Sequence, residues 1–315
     1  MTYLEKTIEK MKIAIIGAGG YWGKNYIRIL SQHENVSDIL VCDINQKNLD
    51  VVKTNYPELE TTTSIDDVMK SNCDAVIVCT PYKTHYSIVK DLLLSSKHIL
   101  CEKTFTETVE QAEELIGIAE ANNLKLLVGQ TFLYNSLVQK TKEIIDSGEL
   151  GKLLYITFQR TGKSPIRFDC NSLADLGSHD LSMLLYWLDE MPLSVASFGQ
   201  AYLQKDIEDV CFVNLKFSNN VIANIHCSWY EPVKKRCVTV VGDKKMLTLD
   251  DIAQTLIIHD NEGEHKVDVK YLQPLTEQVD DFINCIINDE EPLSDGYVGR
   301  DVVRILEYCQ TALKQ

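Results

Sequence analysis

The sequence holds no apolar stretch long enough to cross a bilayer, no basic block, no C-x-x-C or H-x-x-x-H pair, no internal repeat and no low-complexity tract. Each absence removes a class of function. A membrane-spanning helix needs about 20 apolar residues in a row, so no membrane association is expected. With 31 Lys plus Arg against 46 Asp plus Glu and a net charge of −15, nucleic acid is not an expected partner, because neutralising a phosphate backbone takes clustered cations. The ten cysteines are scattered, several inside apolar runs such as Val78-Cys79 and Leu100-Cys101. They read as reduced, buried small hydrophobes. The seven histidines form no cluster with metal-ligand spacing, so no metal is expected. Together these features point to a soluble, cytoplasmic protein. Residues 1–10 are polar and of mixed charge, precede the first apolar run, and receive no function.

The 315 residues, 45% of them hydrophobic, suffice for two packed cores. Short apolar runs at residues 12–16, 39–42, 75–79, 98–101 and 124–128 alternate with helical patterns, such as Val109, Ala112, Leu115, Ile116 and Ala119 on one face. Strands alternating with helices imply a doubly wound parallel sheet covered on both faces. After Gly129 the rhythm changes. Helical patterns near residues 136–147 and 179–188 are followed by strands, among them residues 221–227, where Val221, Ala223, Ile225 and Cys227 share a face. That period of two marks a half-buried, mainly antiparallel sheet. Helical patterns at 276–288 and 299–313 end the chain. The expected fold is an α/β Rossmann domain over residues 1–129, then an α+β domain with an open, mainly antiparallel sheet over 130–315, with room for the C-terminal helix to pack back on the first domain.

Gly17-Ala18-Gly19-Gly20-Tyr21-Trp22-Gly23 lies between the first strand and its helix, where a dinucleotide pyrophosphate is cradled by a tight turn and a helix N-terminus. Its spacing is one residue longer than G-x-G-x-x-G. Asp43, at the end of the second strand, suits the adenosine ribose hydroxyls and would repel a 2′-phosphate, which favours NAD over NADP. Thr80-Pro81 and Glu102-Lys103 end the third and fourth strands, at the ligand-binding edge of such a sheet. Lys103 there is either a solvated loop lysine or an ammonium that stabilises an alkoxide during hydride transfer. Asp175 and His179 are four residues apart, on one side of a helix if the backbone is helical. They are either an acid/base pair or a capped helix start with a bystander histidine. His85 is expected to start a helix near the cofactor, and His226 to be structural.

Taken together, residues 16–25, Cys79-Thr80-Pro81 with Thr84-His85-Tyr86, Cys101-Glu102-Lys103 and Asp175-Leu176-Gly177-Ser178-His179-Asp180 resemble the Gfo/Idh/MocA family of sugar and inositol oxidoreductases. Ser147-Gly148-Glu149-Leu150-Gly151-Lys152 is similar to the family's entry into its second domain. Cys227-Ser228-Trp229-Tyr230-Glu231-Pro232, with Thr239-Val240-Val241-Gly242, resembles members from surface-polysaccharide gene sets. The resemblance implies a substrate sheet that also serves as the interface of a homodimer or homotetramer. It makes Lys103 the contact to substrate hydroxyl and nicotinamide, His179 the general acid/base and Asp175 its supporting carboxylate. It implies cofactor contacts from Gly17, Gly19, Gly20, Tyr21, Trp22, Gly23, Asp43, Thr80, Pro81, His85, Glu102 and Lys103. The polysaccharide-type likeness implies C3 oxidation of a UDP-linked N-acetylamino sugar, with Arg160, Arg167 and Asn171 on the sugar or diphosphate. Alternatives are a free polyol or inositol dehydrogenase, a ketosugar reductase, and a non-catalytic NAD-binding sensor. The chain departs from the family in its longer glycine loop, in Thr104 where Glu-Lys-Pro has proline, and in Ser182 where an aspartate is common. The second departure leaves open whether the peptide after Lys103 is cis.

Overall fold

The computed structural model describes residues 10–163 and 167–313; residues 1–9 of the N-terminal extension lie outside them. The chain divides into two units. One holds the residues up to Gly129 together with Thr276–Arg300, and the other holds Gln130–Leu275 and the residues from Asp301 onward.

The first unit runs β1 (Met11–Ile16), α1 (Tyr21–Leu30), β2 (Val36–Cys42), α2 (Gln46–Asn55), β3 (Glu60–Thr62), α3 (Ile65–Lys70), β4 (Ala75–Val78), α4 (His85–Leu94), β5 (His98–Glu102), α5 (Val109–Ala121) and β6 (Leu126–Gly129). Its six strands are all parallel, in the order β3-β2-β1-β4-β5-β6. Every residue of β4 and of β6 is buried, as strands covered on both faces require. The helices dock through the apolar positions that the sequence periodicity marks: Tyr26, Ile27 and Leu30 of α1, and Val109, Ala112, Leu115, Ile116 and Ala119 of α5. Sequence reading counts five of these strands. The sixth, β3, is Glu-Thr-Thr at the sheet edge, too short and polar to carry an apolar signal.

The second unit begins with α6 (Ser136–Asp146), capped by Asn135, whose side chain accepts the Leu137 N–H at 2.9 Å. It continues with β7 (Leu153–Thr161), a π-helical turn at Leu173–Gly177, α7 (Ser178–Leu188), β8 (Ser194–Gln200), β9 (Val210–Lys216), β10 (Ile222–Ser228), β11 (Lys235–Gly242), β12 (Met246–Asp250), β13 (Thr255–Asp260) and β14 (Gly263–Lys266). The eight strands order as β14-β13-β12-β11-β7-β10-β9-β8, antiparallel except for β10 beside β7. In β9, Cys211, Val213 and Leu215 are buried while Phe212, Asn214 and Lys216 face out, the period of two expected when only one face is covered. Trp187 of α7 stacks on Phe158 of β7, ring centroids 5.8 Å apart, and donates its indole N–H to the Val138 carbonyl at 3.0 Å. One side chain thus fixes α7 against both the sheet and α6. This turn and α7 carry Asp175, His179 and Asp180.

Two helices complete the chain, α8 (Pro274–Asn288) and α9 (Gly296–Leu313). Sequence reading puts all of 130–315 in the second domain, whereas 276–300 group with the parallel sheet. The reason is the open edge of β6. Val128 donates its N–H to the Ser294 carbonyl at 2.8 Å, the Ser294 hydroxyl donates to the Val128 carbonyl at 2.7 Å, and Leu127 bridges Asp295. An edge strand's unpaired backbone groups need partners.

Candidate active site

In the first unit the glycine loop joins β1 to α1 and is shaped by steric necessity. Gly17 has φ +91°, and a Cβ there would meet the backbone of Cys79 at 2.9 Å; a Cβ on Gly23 would meet Gly17 O and Ala18 Cα at 2.6 Å. Gly20 caps α1 with no side-chain hydrogen bond, and the first helical turn carries no acidic residue. The first N–H groups of α1 therefore offer themselves to an anion, with the helix dipole behind them. Tyr21 is exposed, and Trp22 packs edge-on to it at 5.2 Å. Asp43, buried at the end of β2, accepts N–H groups from Gly19 at 2.7 Å and Asn45 at 2.9 Å. Its carboxylate is thus fixed beside the glycine loop, as a ribose-binding acid must be. The cradle fits a dinucleotide. Ile44, the next residue, is 86% exposed, an apolar surface at the nucleotide end of β2 that the sequence reading passes over.

At the same sheet edge, the Thr84 hydroxyl donates to Thr80 Oγ1 at 2.8 Å or to the Pro81 carbonyl at 2.7 Å. His85 begins α4, as expected, and is fully buried. Its Nε2 lies 2.8 Å from the Thr80 carbonyl and its Nδ1 2.8 Å from the Thr104 carbonyl. One ring thereby ties the β4 loop to the loop that follows Lys103. A neutral imidazole has a single N–H, so both contacts are hydrogen bonds only when the ring is protonated. The Lys103–Thr104 peptide is cis, the alternative that the Thr104 departure left open. Lys103 is half-buried at the end of β5.

Glu102, expected among the cofactor contacts, turns inward and is 3% exposed. It accepts the Tyr26 hydroxyl at 2.8 Å and the Lys103 N–H at 3.2 Å, while Gln278 donates to Tyr26 Oη at 2.8 Å. Burial pushes its carboxyl up to about 7, opposed by the Tyr26 hydrogen bond and by Lys103. Helix α8 supplies Gln278, a link no local motif announces.

In the second unit, Asp175 lies in the π-turn and His179 in the first turn of α7. The backbone between them is helical, with the wider π-turn feeding the α-helix. The Trp229 indole donates to Asp175 Oδ2 at 3.2 Å and Arg167 Nη1 approaches Oδ1 at 3.4 Å. The His179 imidazole packs on the Phe132 ring at 4.8 Å, and the Arg160 guanidinium lies 4.2 Å from the same ring's centroid. Arg160 donates Nε–H to Asp180 Oδ1 at 2.7 Å. Asp180, Arg160, Phe132 and His179 thus close a circuit that starts and ends on adjacent residues of α7. Ser182, in place of the family aspartate, donates its hydroxyl back to the His179 carbonyl at 2.8 Å.

Arg160, expected on a sugar or diphosphate, is 4% exposed and held by Asp180. Arg167 is half-exposed and chelated by Asp169 at 3.0 and 2.9 Å. Asn171 donates to Glu208 at 2.9 Å and accepts the Ala174 N–H at 3.0 Å. Substrate contacts from these two would have to compete with those partners. Phe132 and Trp229 are the side chains that sequence reasoning gave no role: Phe132 has no motif, and Trp229 stands out only inside the Cys227 to Pro232 string. His226 stacks on Phe212 at 4.3 Å within the sheet, and among the described residues no cluster fit for a metal ion occurs.

Residues 11–130 match the family model described as the oxidoreductase family with an NAD-binding Rossmann fold, and residues 138–248 match the same family's C-terminal domain. The chain belongs to the Gfo/Idh/MocA oxidoreductase family. Among its relatives, the UDP-N-acetylglucosamine 3-dehydrogenase of Acidithiobacillus ferrooxidans is 26% identical over 248 residues, 75% of this chain and 78% of that one. A solved structure of that enzyme superposes with a TM-score of 0.88 at 24% identity, over 97% of this chain and 98% of that one. The myo-inositol 2-dehydrogenase of Thermotoga maritima is 23% identical over 311 residues, 92% of each chain. The WlbA dehydrogenase from Bordetella pertussis, solved with NADH and UDP-GlcNAcA, superposes with a TM-score of 0.84 at 20% identity over 97% of both chains. These superpositions show that the Gfo/Idh/MocA fold is shared along the whole chain.

Proposed function

We propose that this oxidoreductase uses NAD to oxidise a sugar hydroxyl, most specifically C3 of a UDP-linked N-acetylamino sugar. The observation that carries the reading is the arrangement of His179 and Asp175 in one π-to-α turn, with Asp175 held by the Trp229 indole and His179 packed on Phe132. The substrate class is supported by the relative named a UDP-N-acetylglucosamine 3-dehydrogenase, which matches three quarters of this chain.

His179 accepts the hydroxyl proton, since an imidazole titrates near neutrality and is suited to both taking and returning a proton. The Asp175 carboxylate supports the imidazolium so formed. Lys103 stabilises the developing alkoxide by charge and hydrogen bonding. Bound NAD would supply the acceptor for the carbinol hydride, and the O–H proton goes to His179. The products are a ketone, a proton and reduced cofactor. Asp43 would receive the adenosine ribose and disfavour a 2′-phosphate, and the α1 N-terminus would receive the pyrophosphate.

The relative named a myo-inositol 2-dehydrogenase, matched over 92% of both chains, supports a second reading, a free polyol as substrate. Mixing the purified protein with NAD and a panel of UDP-sugars and free polyols, and following the absorbance of reduced nicotinamide, separates the two. Turnover of UDP-N-acetylamino sugars alone is the predicted result. Turnover of free polyols alone refutes the nucleotide-sugar reading.

A further inference from the structure

We propose that Asn48 of α2 is a further cofactor contact, its carboxamide donating an N–H to the cofactor where the adenosine ribose joins the pyrophosphate. This contact rests on the cofactor half of the function proposed above, and holds whichever sugar is the substrate.

The longer glycine loop brings Asn48 into the cradle. With one residue more than G-x-G-x-x-G, the turn after β1 reaches across to the end of β2, where Gly19 donates its N–H to Asp43 Oδ2 at 2.7 Å. Asp43 marks the ribose end of the cradle and the start of α1 its pyrophosphate end, so Gly19 stands between the two. In the usual loop the second glycine leaves its backbone bare for the pyrophosphate to approach. Here that space is taken. A Cβ on Gly19 would fall 2.0 Å from Asn48 Nδ2 and 2.3 Å from Asn48 Cγ, so the Asn48 carboxamide lies directly against the Gly19 Cα. A ligand that packs on Gly19 from that side meets the amide first.

The side chain has no structural work to do there. Asn48 is the third residue of α2, which begins at Gln46 behind the cap Asn45. A polar side chain at that position ordinarily turns back to accept the N–H of the cap residue. Asp43 Oδ1 already accepts that N–H, at 2.9 Å, and the Asn45 side chain accepts the Lys47 N–H at 3.1 Å. The Asn48 backbone N–H goes to the Asn45 carbonyl at 2.9 Å. Its carboxamide makes no hydrogen bond among the described residues, and α2 docks through Leu49 and Val52, both buried. Asn48 is half-buried, so the amide is confined against Gly19 and still open to a ligand. Its chemistry suits the place. A cation would be drawn onto the Asp43 carboxylate, and a second carboxylate would repel a diphosphate. A neutral carboxamide donates to a ribose or phosphate oxygen without either penalty.

The test is calorimetric titration of the intact protein with NADH and, separately, with ADP-ribose, which carries the adenosine half without the nicotinamide. Asn48→Leu, close to asparagine in shape but without a donor, should weaken both ligands about tenfold, as the loss of one hydrogen bond does. Asn48→Asp should weaken them by about a hundredfold at low salt and less at high salt, because it sets a carboxylate beside the pyrophosphate. The urea midpoint of the unliganded protein should not fall in Asn48→Leu, since the carboxamide holds no other part of the chain. Unchanged or tighter binding by Asn48→Leu overturns the contact, the amide being then only a filler over Gly19. A tenfold loss accompanied by a lower urea midpoint overturns it too, in favour of a side chain that merely shapes the loop. A loss confined to NADH, with ADP-ribose bound as by the parent, moves the residue away from the adenosine half and refutes the assignment. If the parent protein binds neither ligand, the cofactor reading fails and the contact with it.

Discussion

Arg160 donates its Nε–H to Asp180 across 2.7 Å, and the two residues are 4% and 1% exposed. Burial pushes the Asp180 carboxyl up, and Arg160 opposes that shift. The pair joins β7 to α7 directly beside His179. Removing one partner of a buried pair strands the other charge, so Asp180→Ala should cost about 3 to 5 kcal/mol in denaturant unfolding. Replacing both, with Arg160→Met and Asp180→Leu, should recover most of that loss. A cost below about 1 kcal/mol for the single variant means the pair is not the clamp described.

The inward turn of Glu102 has a pH signature. Its carboxyl is raised from 4.5 to about 7 in the folded protein, chiefly by burial. A group raised on folding contributes stability that is complete below its unfolded value and is lost as pH rises through the folded value. Glu102 therefore favours folding below 4.5 and ceases to do so as pH passes 7. Glu102→Gln abolishes this term. Relative to the parent, the variant should gain up to about 3 kcal/mol between acidic and mildly alkaline pH, measured by urea unfolding across that range. A pH-independent difference contradicts a buried, titrating Glu102.

The proposed preference for NAD rests on two adjacent side chains, Asp43 and the exposed Ile44. Replacing the acid and adding a cation, as Asp43→Ser with Ile44→Arg, should move preference toward NADP by about a hundredfold in kcat/KM, as roughly 2.7 kcal/mol would. Kinetics with both cofactors measures it. Retained NAD preference in the double variant means that discrimination lies elsewhere.

Much of this was legible beforehand because it is local. The β1 glycines, Asp43 at the end of β2 and the strand-ended Thr80-Pro81 and Glu102-Lys103 follow from short apolar runs and what terminates them. What the sequence could not show depends on partners distant in the chain. Glu102 turns inward because Tyr26 and Gln278 reach it. Arg160 is buried because Asp180 answers it, although a guanidinium near a substrate motif reads on sequence as a phosphate contact. Residues 276–300 join the first unit because β6 has an edge to cover, and an edge has no signature in one strand's composition.

In the proposed mechanism Lys103 stabilises the alkoxide. Lys103→Ala should lower kcat about 10² to 10⁴-fold, the range for a group acting in proton transfer and charge stabilisation, while NAD affinity changes little. Steady-state rates with NADH fluorescence titration separate the two. Near-normal turnover removes Lys103 from the chemistry.

The proposed function requires that hydride leave C3 of a UDP-linked N-acetylamino sugar for NAD. It is tested most directly with that substrate carrying deuterium at C3 alone. A primary isotope effect on the hydride-transfer step in single turnover is expected, with deuterium recovered in the reduced nicotinamide. Reduced cofactor formed without deuterium would contradict it, because the hydride would then have come from another carbon.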